Sequence, residues 1–371
     1  MSGGKKVKEE DIAKSPPKPR EARDVNNVRV ALAPWFLSKL KEAKEIEFSD
    51  FIIPEANSYS SEVILFGAKW RTGDGENSEK FVIRVPPQGT ALFWKPDFHR
   101  DYKIAEALYQ TKSAPVPKTY WYESNPEILG APFCVTAQAE GRAAQDNPPY
   151  NIAGWLADAT AEVRDSVWWS GVEAMAKLNS LDWEAAGLGF LRRSSGPKGE
   201  LEKEIDYYAD YYDWACEGHR LDFIDKAGQW LRANMPDVGS LCFCWGDARM
   251  GNILYHNNHC NACLDWEMAS LGEPEKDLAY WIAFDRFNRE GVGAPAREGW
   301  PSYEETIAWY ERRLGRPMRN LHYYEIFAMY RTSVILSRLA NLWAMMAPGN
   351  DPGMILNNHY ILDSLRSAMN G

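Results

Sequence analysis

Leu32, Trp35, Phe36 and Leu40 recur at the spacing of one helical face, which predicts a helix running to about Ala43. The pattern then changes to short apolar runs. Phe51-Ile52-Ile53, Glu62-Val63-Ile64-Leu65-Phe66 and Lys80-Phe81-Val82-Ile83-Arg84-Val85 predict strands, the last two joined by a turn at Gly73-Asp74-Gly75. Phe133-Cys134-Val135-Thr136-Ala137-Gln138 reads as another strand. Beyond it, apolar residues at helical spacing with charges between them predict long helices near Ala159 to Leu181, Lys203 to Cys216, Phe223 to Asn234, Tyr303 to Leu314 and His322 to Met346. The loop Asp146 to Gly154, rich in Pro and Asn, interrupts that series. The first thirty residues are polar and broken by Pro16-Pro17-Lys18-Pro19, the signature of a mobile arm. An α+β chain in three stretches is expected: an arm over 1–29, a β-rich region with its leading helix over 30–136 and a helical region over 137–371.

Chemistry concentrates in one place. Trp245-Gly246-Asp247-Ala248-Arg249-Met250-Gly251-Asn252 is followed by the apolar runs Ile253-Leu254-Tyr255 and Ala262-Cys263-Leu264, separated by a polar turn at His256-Asn257-Asn258-His259, and then by Asp265-Trp266-Glu267. A hairpin of roughly equal arms returns Asp265 to the level of Asn252, since paired strands lie roughly 5 Å apart. An Asp, an Asn five positions on and a second Asp after a hairpin is the arrangement in which a kinase places one base and two metal ligands. Asp247 would receive the proton of an acceptor hydroxyl, while Asn252 and Asp265 would offer oxygen ligands to the hard cation Mg2+.

With these residues the chain resembles the aminoglycoside phosphotransferase-like family, and the resemblance extends to Pro115-Val116-Pro117, Leu129-Gly130-Ala131-Pro132-Phe133, Glu140-Gly141-Arg142, Asp146-Asn147-Pro148-Pro149-Tyr150 and the run from Gly272 to Trp281. It covers about residues 45 to 365. The wording Trp-Gly-Asp-Ala-Arg is similar to that of the kinase-like domain fused to some acyl-CoA dehydrogenases. The resemblance implies a protein-kinase-like two-lobed fold, with a small β-rich N-lobe and a large helical C-lobe, acting with ATP and Mg2+. The loop from Ala56 to Ser61 would lie over the nucleotide phosphates, with Ser58 and Ser60 as hydroxyl donors, although it lacks the glycines that let such loops approach closely. Arg84 would grip the α- and β-phosphates through a guanidinium fork, with Asp101 as its acidic partner and Glu106 as the fallback. Thr136 to Gln138 is the window for the adenine-facing hinge.

Four further positions carry two readings each. Tyr150 and Trp155 border the acceptor pocket of relatives or simply pack. Arg249 either neutralises charge near the transferred phosphoryl group or pairs with a structural acid such as Asp277. Glu267 either binds metal through water, beside the substrate, or holds Arg249. Trp245 replaces a His that poses the catalytic loop in many relatives, and Asn179 stands where Leu-His is common. Those two departures, together with the glycine-poor loop from Ala56 to Ser61, motivate an alternative to the enzyme reading, a catalytically impaired nucleotide-binding regulatory module.

A net charge of -10 without a basic stripe argues against a nucleic-acid partner. No apolar run approaches the roughly 18 residues of a membrane span, and no signal-peptide core is visible, so no membrane partner and a cytoplasmic location are expected. Cys242 and Cys244 with Cys260 and Cys263, beside His256 and His259, would suffice for a structural zinc, but alternate strand cysteines equally suit core packing. Sixteen Trp and eighteen Tyr permit an aromatic-walled pocket for the small-molecule hydroxyl acceptor, for which a hydroxyacyl thioester or an aromatic or phenolic alcohol is expected. The stretch from Asp351 onward carries one further acid, Asp363, and offers no trap for a polycationic aminoglycoside.

Overall fold

The computed structural model describes residues 23–54, 59–89, 91–346, 349–357 and 359–370. The described residues divide into two compact units, a smaller one of residues 23–109 and 117–139 and a larger one from residues 110–116 and 140 onward. Gln110–Val116, expected in the β-rich region, thus belongs to the larger unit.

The smaller unit opens with helix α1 (Val25–Lys39), which begins inside the stretch expected to be an arm. The reason is local. Asp24 caps the helix by accepting from the Asn26 and Asn27 N–H groups, and Arg23 is ion-paired with Glu62, so the chain is tied down from residue 23 onward. Strands β1 (Ile46–Phe48), β2 (Glu62–Thr72) and β3 (Gly75–Val85) follow, then helix α2 (Phe98–Thr111) and strands β4 (Thr119–Glu123) and β5 (Phe133–Ala137). They form an antiparallel sheet of order β1-β2-β3-β5-β4. The run Phe51-Ile52-Ile53 is a correction: only Ile52 bridges Leu65, and Ile46–Phe48 takes the edge position beside β2. Val28, Leu32, Trp35 and Phe36 of α1 pack on Ile64, Phe66, Phe81, Ile83, Val85, Phe133 and Val135 of the sheet. Phe36 sits edge-on to Phe48, Phe66, Phe81 and Trp121 at centroid distances of 5.3 to 5.5 Å. The helix therefore serves to complete an aromatic core.

The larger unit contains strand β6 (Arg142–Ala143), helices α3 (Ala161–Asn179), α4 (Pro197–Ala215) and α5 (Asp222–Ala233), strands β7 (Cys242–Cys244), β8 (Ile253–His256), β9 (His259–Cys263) and β10 (Ser270–Gly272), and helices α6 (Glu275–Arg286), α7 (Tyr303–Leu314), α8 (Leu321–Met346), α9 (Gly353–Leu356) and α10 (Tyr360–Asn370). β7 pairs with β10, and β6-β8-β9 form a three-stranded sheet. Among the described residues no helix is long and apolar enough to cross a membrane.

Candidate active site

The expected hairpin forms. β8 and β9 pair from Ile253 opposite Cys263 to His256 opposite His259, with a register shift between Leu254 and Tyr255, and Asn257 and Asn258 turn the chain with φ of 49° and 64°. Asparagine tolerates that left-handed region better than other side chains, which is why two of them make a two-residue turn. At the open end of the hairpin the Leu264 N–H donates to the Asn252 carbonyl at 2.9 Å. That bond fixes Asp265 one residue beyond Asn252 on the opposite strand, where the spacing argument requires it.

The loop between β7 and β8 is built around a buried acid. Asp277, fully buried near the start of α6, accepts from the Trp245 N–H at 2.7 Å, the Gly246 N–H at 2.9 Å and Asn179 Nδ2 at 2.8 Å. It does not serve as the structural partner suggested for Arg249. Asn179 also donates to the Phe243 carbonyl at 2.9 Å, and its own Oδ1 accepts from the Tyr310 hydroxyl. Far from costing the loop a contact, Asn179 joins strand β7 to the acid that holds the loop. Gly246 has φ of +85°, and a Cβ there would collide with the Met268 carbonyl, so glycine is required. Trp245 reverses another expectation. Its single indole N–H is shared between the Leu264 and Asp265 carbonyls at 2.8 and 3.2 Å, which ties the loop to the strand that delivers Asp265.

Asp247 is posed by its own loop. Asn252, 3% exposed, donates from Nδ2 to the Asp247 carbonyl at 3.0 Å and to Oδ2 at 2.7 Å. Both bonds use Nδ2, so the Asn252 amide oxygen takes no part in holding Asp247. Burial, opposed by the Asn252 hydrogen bond and reinforced by Asp265, pushes the Asp247 carboxyl up to about 7. Asp265 adopts φ of +62°, a conformation uncommon for a side chain of this kind and one that gathers at functional sites. An amide oxygen and a carboxylate, the latter on a backbone held in an unusual conformation, are the donors that Mg2+ prefers. The residues present fit that ion.

Arg249 is committed between two acids. Its Nε donates to Asp247 Oδ1 at 3.0 Å, and its Nη1 is paired with Asp146. Gly251 makes room for the pair, because a Cβ there would lie 2.6 Å from both Arg249 Nη1 and Asp146 Oδ2. Asp146 is a site residue that sequence reasoning quoted as a landmark without a role. Its position before the Pro-Pro-Tyr run was the available signal. Glu267 lies close enough to act electrostatically on both Asp247 and Arg249.

Tyr150 and Trp155 both make packing and hydrogen-bond contacts. The Tyr150 hydroxyl donates to buried Asp285 at 2.7 Å, in a cluster with Tyr303 and Arg289, so it is occupied in the core. Trp155 donates to the Ala143 carbonyl at 2.8 Å and lies under the Arg142 guanidinium, 4.0 Å from the ring centroid. It lines a cavity of about 440 Å³ with Gly141, Tyr255 and the turn residues His256 to Asn258, at the closed end of the hairpin rather than the end bearing Asn252 and Asp265. The pairing of Arg142 with Tyr255 fixes that displacement.

On the smaller unit, Arg84 is half-buried on β3 and donates from Nε to Ser61 Oγ at 3.3 Å. Asp101 is bonded to Arg100 at 3.0 Å, and Glu106 accepts from the Tyr102 hydroxyl at 3.2 Å. Ser60 precedes β2, and Ser58 lies outside the described residues. Thr136 is on β5, opposite Val82. The Ala137 and Gln138 N–H groups donate to the Lys118 and Lys80 carbonyls at 2.8 and 2.9 Å, so neither is available to a base without breaking a sheet bond. Cys242 and Cys244, and Cys260 and Cys263, form two pairs with Sγ atoms 3.7 Å apart in each, and among the described residues no three His, Cys, Asp or Glu side chains gather to hold a metal ion. The zinc reading has no site there.

The chain is 31% identical over 249 residues to acyl-CoA dehydrogenase family member 11 of Rattus norvegicus, covering 65% of this chain and 30% of that protein. It is 24% identical over 271 residues to family member 10 of Mus musculus, covering 69% of this chain and 24% of that protein. The chain thus spans a third or less of these relatives. Among solved structures, a Ralstonia eutropha protein provisionally assigned as an aminoglycoside phosphotransferase superposes with a TM-score of 0.67 at 20% identity, over 92% of this chain and 96% of the other. Macrolide 2'-phosphotransferase MphH of Brachybacterium faecium superposes with a TM-score of 0.51 at 15% identity, over 86% and 99%. These likenesses show a shared kinase-like fold. The family model of the phosphotransferase enzyme family matches residues 66–314, a stretch that holds the whole loop and hairpin described above. This chain belongs to the phosphotransferase enzyme family.

Proposed function

We propose that the chain transfers the γ-phosphoryl group of ATP to the hydroxyl of a hydroxyacyl thioester or of an aromatic or phenolic alcohol, with Asp247 as the base. The observation that carries the chemistry is the Leu264–Asn252 backbone bond, which sets Asp265 beside Asn252 while Asn252 holds Asp247. A carboxyl held near neutrality is suited to taking the acceptor's proton as the oxygen attacks phosphorus. Arg249 steadies that carboxylate against Asp146, a positioning role that keeps one oxygen of Asp247 oriented. Asn252 and Asp265 would hold Mg2+, which when bound neutralises charge on the nucleotide phosphates. On the smaller unit, Arg84 and Ser60 are the proposed phosphate contacts. The thioester acceptor is supported by the similarity to proteins named for acyl-CoA chemistry. The aromatic alternative is supported only by the abundance of Trp and Tyr.

The impaired-module alternative loses two of its three motives, since Trp245 and Asn179 both hold the loop through hydrogen bonds. The test is ATP consumption with Mg2+ over hydroxyacyl-CoA esters, hydroxyacids, phenols and aminoglycosides, with Asp247→Asn run alongside. Turnover on a thioester or phenol, reduced by about 10²-fold or more in the variant, is expected. Turnover confined to aminoglycosides would overturn the acceptor assignment.

A further inference from the structure

Cys260 and Cys263 are three residues apart on one strand, and in a regular strand such side chains point to opposite faces with their Cα atoms about 10 Å apart. Here their Sγ atoms are 3.7 Å apart. The cause is a bulge. Leu254 pairs with Ala262 and Tyr255 with Cys260, leaving Asn261 as an extra residue with no cross-strand partner in the ladder. Ile253 and Tyr255 share a face of β8, so their partners Cys263 and Cys260 share the matching face of β9. Asn261 is held in the bulge by donating from Nδ2 to the Glu140 carbonyl at 2.8 Å, and the Cys260 N–H is fixed by Ser170 Oγ at 3.0 Å. The two thiols differ in access: Cys263 is fully buried, whereas Cys260 is partly exposed.

We infer that Cys260 and Cys263 form an oxidisable dithiol whose closure to a disulfide disturbs the placement of Asp265. A hydroperoxide oxidises the Cys260 thiol to a sulfenic acid and leaves as the alcohol. The Cys263 thiol then attacks the Cys260 sulfur, forming the S–S bond and expelling the sulfenic oxygen as water. In sum, two thiols and one hydroperoxide give a disulfide, an alcohol and water, and a thiol reductant reverses the bond. Bonding the sulfurs requires them to approach from 3.7 Å to about 2 Å. The contraction falls on the bulge at Asn261, four residues before Asp265, and on Cys263, two residues before it. In the reduced chain the Cys263 N–H is bonded to the Pro115 carbonyl at 2.8 Å and the Leu264 N–H to Asn252, so tightening the strand pulls on the bonds that set the height of Asp265. The consequence for phosphoryl transfer rests on the reading of Asp265 as a metal ligand; the dithiol itself does not.

Cys242 and Cys244 provide an internal control, since their sulfurs are equally close but both residues are buried. The experiment is a titration of the full chain with tert-butyl hydroperoxide, read by peptide mass mapping and by hydrogen exchange over 262–268. Expected are a loss of two hydrogens on the 260–263 peptide, faster exchange at Leu264, reversal of both by dithiothreitol, absence of both in Cys260→Ser, and an unchanged 242–244 peptide. Thiols that stay reduced, Cys260 that runs on to the sulfinic acid without pairing, a disulfide that leaves exchange at Leu264 unchanged, or faster exchange that persists in Cys260→Ser would each overturn the inference. None of these readouts needs an acceptor, so a failed kinase assay and a failed dithiol are told apart.

Discussion

Asp277→Asn tests whether the active loop is held from beneath by one buried carboxylate. The native side chain accepts three hydrogen bonds, two from backbone N–H groups of Trp245 and Gly246 and one from Asn179. An amide of the same shape has one acceptor oxygen and presents an NH2 to a donor that has nowhere else to turn. Hydrogen bonds to charged groups contribute about 1.5–3 kcal/mol each, and a buried donor left unpaired costs about 1–3 kcal/mol. Removing the charge also relieves some desolvation, so the net loss is about 2 kcal/mol rather than the sum. With a urea dependence of about 2–3 kcal/mol per molar, the unfolding midpoint of the larger unit should fall by roughly 0.7–1 M. Asp247 follows Gly246 directly, so the loosened loop should also lower kcat by about 10²-fold while KM for ATP changes little. The assay is urea unfolding followed by tryptophan fluorescence, with steady-state kinetics on the acceptor found in the panel. A variant matching the parent in both midpoint and kcat would refute the claim that Asp277 holds the loop.

Gly246→Ala places a Cβ in the Met268 carbonyl at a left-handed φ, and should lower stability by about 2 kcal/mol or more in the same unfolding assay. Arg249→Lys keeps the charge but cannot bridge Asp247 and Asp146 through two nitrogens, so kcat should fall about tenfold with the melting temperature nearly unchanged; equal kinetics would remove Arg249 from the positioning role. His359, stacked on Phe287 at 4.7 Å, has its pKa depressed by burial to about 4. The folded chain therefore refuses a proton that the unfolded chain accepts near pH 6.5, so stability is full above that pH and falls by at most about 3 kcal/mol as pH drops toward 4. His359→Phe should flatten this dependence in a pH series of urea midpoints, and a slope identical to the parent's would show that His359 does not cause it.

Local rules carried much of this protein into view. Asp247, Asn252 and Asp265 were legible because hairpin geometry converts sequence spacing into spatial level, and Asn257-Asn258 marked where the chain turns. The helices of the larger unit were legible where one face is apolar and the other polar. Helix α6 was not, because Glu275, Lys276, Asp277 and the residues after them are buried on all sides, which erases the periodicity that identifies a surface helix. The strand expected at Phe51–Ile53 failed for a related reason, since apolar content alone does not say which run finds an open sheet edge. The partners of the buried charges lay equally beyond the sequence. Asp277 grips Trp245 and Gly246 from about thirty residues away, Asp146 meets Arg249 across more than a hundred, and Asn179 bonds to both β7 and Asp277. A buried carboxylate must be satisfied by whatever donors the packed chain brings to it. Spacing and residue type therefore determined which side chains could perform the chemistry, while packing decided which buried groups hold them in place and that Tyr150 and Trp155 are engaged with Asp285 and the Ala143 carbonyl.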